Sequence, residues 1–159
     1  MTVEHLDATF DALDTLSIET LALFMLTDRR PLRGVAGIID WRLCGELSRS
    51  LQSGGITGKL GERLLMPTHN RVGARRLLVF GAGLSTSPLA ALELGKALAA
   101  ARLAGANELA LELPENASPD AVASAVNSFD GKRLVLIGAS PEQKERLAQR
   151  SSERASKRA

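Results

Sequence analysis

The sequence predicts an α/β fold in which a mostly parallel, mixed sheet is covered by helices on both faces. Two observations carry this reading. Short continuous apolar runs such as TLALFMLT, RLLVF and LVLI alternate along the chain with longer segments whose apolar residues recur at three- and four-residue spacing. Runs that are apolar at every position fit strands buried on both faces, and a helix between such strands is what a parallel connection requires. A third observation sets the scale. The chain has 159 residues, of which 45% are apolar and 24% charged, enough for one domain with a sizeable core. With four Phe, one Trp and no Tyr, that core is built mainly from Leu, Val, Ile and Ala.

Taken in order, Val3 to Leu6 adds a first strand, and the acidic residues Asp7, Asp11 and Asp14 read as a solvated turn. Thr20 to Thr27 is a buried strand. Gly34 to Ser53 reads as one helix, because Ala36, Ile39, Leu43, Leu47 and Leu51 form a stripe that Ser53-Gly54-Gly55 terminates. Glu62 to Met66 is a short apolar run before Pro67, and Arg76 to Phe80 is a second clear strand. Ser87 is the expected cap of a long helix with Pro88 in its first turn, a stripe of Leu89, Leu92, Leu98 and Leu103, and a break at Gly105. Glu108 to Leu113 alternates as a strand. Ser118-Pro119-Asp120 opens a short helix to Phe129, and Leu134 to Ile137 is the last strand. Ser140-Pro141-Glu142-Gln143 is a capping box for a final helix with little apolar stripe beyond Leu147. Residues 1–140 are therefore expected to form the domain, with 141–159 a polar, basic helix or tail that is partly disordered.

Net charge is +2, too small to argue for nucleic acid. Residues 141–159 carry six Lys or Arg and three Glu, so the basic balance sits in the tail and the preceding 140 residues are close to neutral. Cys44 is the only cysteine, so no internal disulfide forms, as suits a reducing compartment. No window approaches the ~18 apolar residues of a membrane span, and the acidic N-terminus is unlike a secretory signal. A cytoplasmic protein is the expectation.

Several motifs in order carry a family resemblance: the PLRG turn at Pro31 to Gly34, IIDWRLCG from Ile38 to Gly45, G-K-x-G-E at Gly58 to Glu62, the strand and glycine turn LLVFGAG, the alanine-rich helix, and a helix ending in Phe129-Asp130. Together they resemble the N-terminal domain of the M17 leucyl aminopeptidases. The resemblance implies a macro-domain-like, three-layer α/β/α sandwich. In that family the chemistry belongs to a larger C-terminal domain with two metals, whose ligands lie partly in an N-T-D-A-E-G-R-L stretch. No such stretch occurs in this sequence. The resemblance thus implies a stand-alone domain with no catalytic residue, no metal, no cofactor and no enzymatic activity.

The residues themselves offer three candidate surfaces. Gly81-Ala82-Gly83, with Ser85 and Thr86, follows a strand and precedes a helix, the setting in which backbone amides meet a phosphate. Gly138 and Ser140 form a similar turn. Either turn is an anion or nucleotide loop or an ordinary tight connection; the third glycine of a dinucleotide fingerprint is replaced by Thr86. Arg29, Arg30 and Arg33 form a basic patch that contacts phosphate or an acidic surface, or is a solvated loop. Trp41 lies beside the helix stripe. With Ile38 it makes a second apolar edge, with Arg42 and Arg49 as its polar rim; Trp41 is an interface anchor or is tucked under a loop. Cys44, His5 and His69 are too few for a structural zinc site, which takes about four ligands.

The function these readings favour is a non-catalytic, regulatory protein-binding module that contacts another protein or a second copy of itself. A nucleotide or ADP-ribose-like ligand is the alternative, and nucleic-acid binding through the tail and arginines a further one.

Overall fold

The computed structural model describes residues 1–158. Strand β1 (Thr2–Leu6) and helix α1 (Phe10–Thr15) lead into β2 (Ile18–Leu26). Helices α2 (Gly34–Arg42) and α3 (Glu46–Gln52) follow, then β3 (Arg63–Pro67) and β4 (Ala74–Gly83). Helix α4 (Ala91–Leu103), β5 (Glu108–Glu112), α5 (Pro119–Ser128), β6 (Arg133–Ile137) and α6 (Pro141–Arg158) complete the chain. The strands form one sheet in the order β1-β6-β5-β2-β4-β3. Every neighbouring pair is parallel except β3 with β4, which is antiparallel. The expected mostly parallel, mixed sheet is present.

The two faces of the sheet divide the core. On one face Ala22, Leu78, Leu109, Leu111 and Leu136 pack with Leu94 and Leu98 of α4, Val122 and Val126 of α5, and Leu147 of α6. On the other, Leu21, Leu23, Leu77, Val79 and Val135 pack with Leu13 of α1, Val35 and Ile39 of α2, and Leu47 of α3. Alternate residues of β2 thus enter opposite cores, which is why that strand reads as an unbroken apolar run. The result is the three-layer α/β/α sandwich.

Three local expectations are corrected. Gly34 to Ser53 is two helices: Cys44 and Gly45 take φ values of 55° and 80° and turn the chain between α2 and α3. The stripe survives the break because Ile39, Leu43 and Leu47 still reach one core. The acidic stretch near the N-terminus is helical, with the Thr9 side chain accepting the Ala12 amide at 3.2 Å. Ser87 does not cap α4, whose N-cap is Ala90. The segment before it turns at residues 84–87 and is held by Asn116, whose carbonyl accepts the Leu89 amide and whose side-chain amide donates to the carbonyls of Ala82 and Ser87. The other two caps form as expected. The Ser118 hydroxyl accepts from Ala121, and Ser140 and Gln143 exchange hydrogen bonds at the start of α6.

Candidate functional site

The strand order places one crevice at a topological switch point. After β2 the chain builds outward to β4 and β3, and after β5 it builds the opposite way to β6. The loops leaving β2 and β5 therefore diverge at the carboxyl edge of the sheet, where open α/β folds bind ligands. A cleft of about 330 Å³ lies there. Its apolar wall includes Phe24, Leu32 and Leu113, and its polar groups come from Asp28 to Arg33 and from Glu112 and Glu115.

Glu112 is the chemically distinctive residue of this cleft. It ends β5, and its Oε1 accepts the amide of Val35 in the first turn of α2 at 3.2 Å. It keeps some surface because it lines the cleft, yet burial dominates its carboxyl. Burial pushes its pKa up to about 7, reinforced by Glu115, while the amides of Val35 and Ala36 pull the other way. A perturbed carboxyl in a concave site is a functional-site signal. The sequence alone hides it, because Glu112 looks like the polar end of a strand until α2 is folded against it.

The basic patch surrounds the same cleft. Arg29 pairs with Glu115 at 3.3 Å. Arg30 donates to the carbonyls of Leu26, Arg29 and Thr57. Arg33 is exposed at the N-cap of α2 and takes part in no ion pair among the described residues.

The glycine turns lie on the same edge but their donors are engaged. The Gly81 amide donates to the Glu62 carbonyl and the Gly83 amide to the Gly58 carbonyl. The loop they touch is closed by Glu62, whose carboxylate accepts the Thr57 hydroxyl and the amides of Thr57, Gly58 and Lys59; those bonds, the Thr57 hydroxyl first, hold it below the usual carboxylate range. Ser85 gives both its hydroxyl and its amide to Asp28, which lowers the Asp28 pKa. Thr86 is exposed beside it. The Gly138 amide bonds the Leu6 carbonyl, and Ser140 caps α6.

A second surface lies at the far end of α2. Trp41 is 66% exposed and Phe10 46%. Their rings meet edge to face with centroids 5.7 Å apart. The Arg42 guanidinium lies 5.8 Å from the Phe10 ring and 5.2 Å from the Trp41 ring, and Asp14 holds it through two bonds of 2.7 and 2.6 Å. Arg42 is thus part of the aromatic platform and not its rim. Arg49 donates to the Cys44 carbonyl and so braces the α2–α3 turn. Ile38 leans onto the core beneath, leaving Phe10 as the partner of Trp41. Phe10 is hidden in the sequence because its helix reads as an acidic turn.

Among the described residues, no helix is long and apolar enough to cross a membrane, and no three acidic, His or Cys side chains are placed to hold a metal ion.

Residues 20–130 match the family model described as the cytosol aminopeptidase family, N-terminal domain. No curated protein matches the chain in sequence. Solved structures with the same fold include the macrodomain of Mycobacterium tuberculosis DarG, at 13% identity and a TM-score of 0.61, covering 87% of this chain and 99% of that one. The macrodomain of Thermus aquaticus DarG matches at 12% identity and a TM-score of 0.60, covering 86% and 97%. The IBV X-domain, crystallised at pH 8.5, matches at 13% identity and a TM-score of 0.57, covering 93% and 97%. At such identities the likeness is one of fold.

Proposed function

The chain belongs to the cytosol aminopeptidase family through its N-terminal domain, and from that premise we propose that it works as a non-catalytic, regulatory binding module whose partner is another protein or a second copy of itself. The observation that carries this is the exposed Phe10–Trp41 pair stacked on an Asp14-anchored Arg42. The chain has five Phe and Trp residues in all, and two of them stand together at the surface. Trp and Arg are among the side chains that most often dominate binding energy, and here they contact each other and Asp14 before a partner arrives, an arrangement that lowers the entropy lost on association. The non-catalytic reading is supported by the matched family model, which is that of the N-terminal domain.

The test is association of the wild-type chain and Trp41→Ala, by sedimentation across a concentration series for self-association and by capture from host extract for a different partner. Weakening of at least about thirtyfold with the monomer's melting temperature retained is expected. Metal-dependent release of an amino-acid chromophore that survives repeated purification would contradict the non-catalytic reading.

The cleft at the switch point favours a second reading, a small-molecule site. Its volume falls at the lower end of ligand pockets, which begin at about 300 Å³. ADP-ribose and nucleotides are the obvious candidates by fold likeness, and calorimetry with ADP-ribose tests them.

A further inference from the structure

The cleft between β2 and β5 contains an unbalanced pair of charges. Glu112 is a largely buried carboxylate that none of the ion pairs among the described residues neutralises; the groups that meet it are backbone amides of α2. Burying an ionised carboxylate without a cation is costly. The arginines that line the same cleft do not relieve it. Arg29 is taken by Glu115, and Arg30 is spread over three backbone carbonyls. Arg33, one residue before Gly34, is left without an ion pair among the described residues. Gly34 sits directly against the acid, since a Cβ placed there would lie 3.4 Å from Glu112 Oε1. One acid and one base thus remain without an ion pair in a cleft that Phe24, Leu32 and Leu113 also line.

This arrangement disfavours an oligophosphate. The first-turn amides of α2, where a phosphate would settle, already face Glu112. The glycine-turn amides of Gly81 and Gly83 are likewise committed to the chain's own carbonyls. A phosphate at the β5 end of the cleft would also face the Glu112 and Glu115 carboxylates.

Resting on the small-molecule reading of this cleft, we propose that it binds a small zwitterion with an apolar body, an amino acid or a dipeptide. The ammonium group sits on Glu112, the carboxylate on Arg33, and the side chain against the Phe24, Leu32 and Leu113 wall. The ammonium supplies the positive charge that Glu112 lacks, and its three donors add charge-assisted hydrogen bonds. Arg33 suits a carboxylate through its planar fork.

The experiment is calorimetric titration of the full chain with valine, alanyl-valine, N-acetylalanyl-valine and ADP-ribose at about pH 8, where the Glu112 carboxyl is ionised. Valine or alanyl-valine should bind with a dissociation constant of about 1 mM or tighter; the tighter of the two sets the ligand's length. N-acetylalanyl-valine, which keeps the carboxylate and side chains but has no ammonium, should bind at least about tenfold more weakly. Glu112→Gln and Arg33→Ala should each weaken the preferred ligand by a similar factor. If Glu112→Gln does not fold, the comparison of acetylated and free dipeptide on the wild type still decides. Equal binding of the acetylated peptide overturns the assignment of Glu112. Binding of ADP-ribose with no zwitterion bound overturns this proposal and leaves the cleft a ligand site. Binding of none of the four overturns both.

Discussion

Oε1 of Glu112, the last residue of β5, accepts the amide of Val35, the second residue of α2, at 3.2 Å across 77 positions of sequence. This bond joins the end of β5 to the start of α2 at the switch point, beside the direct pairing of β2 with β5. It also places an acid where the partial positive charge of a helix start is available. Burial outweighs that favourable field and raises the pKa of the carboxyl to about 7.

Stability should therefore fall with rising pH across this site. The folded-state pKa of about 7 lies above the ordinary 4.5, so the native chain binds a proton that the unfolded chain has released. The folded form is favoured by the full difference below about pH 4.5 and loses it progressively up to about pH 7, an upper figure of about 3 kcal/mol. Glu112→Gln cannot titrate and keeps an oxygen to accept the Val35 amide. Urea unfolding at several pH values should show a slope in this window for the wild type that is flattened in the variant. Parallel slopes would mean that Glu112 is solvated enough to titrate normally.

Gly81→Ala should be severely destabilising for a reason unrelated to ligands. A Cβ at Gly81 would lie 1.8 Å from the Lys59 carbonyl oxygen, so the Glu62-closed loop would have to move off β4. A cost of about 3 kcal/mol or more is expected. Gly54→Ala is the control: its φ is 78° with no atom within 4 Å of the added carbon, so only the backbone term of roughly 1–2 kcal/mol applies. Chemical denaturation of both variants separates the crowded glycine from the merely left-handed one.

The sheet was legible in the sequence because strands buried on both faces leave apolar runs that are too short for buried helices and alternate with helical segments. Leu21, Leu23 and Met25 enter one core while Ala22 and Leu26 enter the other. The caps at Ser118 and Ser140 were legible because their signals are local. What failed was decided at a distance. The stripe through Leu43 and Leu47 predicted one helix, since a turn that returns both residues to one core preserves the spacing; Gly45 was the available clue. The start of α4 is displaced by Asn116, which no local pattern around Ser87 reveals. Glu112 as a site residue depends on α2 arriving above it, and Phe10 as a platform residue depends on α1 lying beside Trp41.

The Phe10–Trp41 contact should couple weakly within the monomer. Edge-to-face aromatic pairs are worth about 0.5–1.5 kcal/mol beyond area. A double-mutant cycle with Phe10→Ala and Trp41→Ala, read by thermal unfolding of the monomer, should give an interaction energy of about 1 kcal/mol. Trp41→Ala alone should move the melting temperature by only a few degrees, roughly 2–4 °C per kcal/mol for a domain of this size. A loss above about 3 kcal/mol would make Trp41 a core residue despite its exposure, and the interface would lie elsewhere.

Helix α6 is held to the body through α5, and its contribution should be measurable but not decisive. Leu147 retains 7% of its surface and packs into the core beside Val122 and Val126. Beyond it, the described part of the helix meets α5 through Arg146 and Asp120, at 2.5 Å but largely in solvent, so that pair adds little. Leu147→Ala should cost about 2 kcal/mol, the low end for a buried leucine, because the site lies at the margin of the core and can collapse. Deleting residues 141–159 should cost a similar amount, since Leu147 is the principal apolar side chain that the deletion takes out of the core. The truncated chain is expected to keep a cooperative unfolding transition and native near-ultraviolet dichroism, with a melting temperature lower by roughly 4–8 °C. If it is instead insoluble or loses its near-ultraviolet signal, the face of α5 exposed by the deletion is one the sandwich needs covered, and the domain extends to the end of α6.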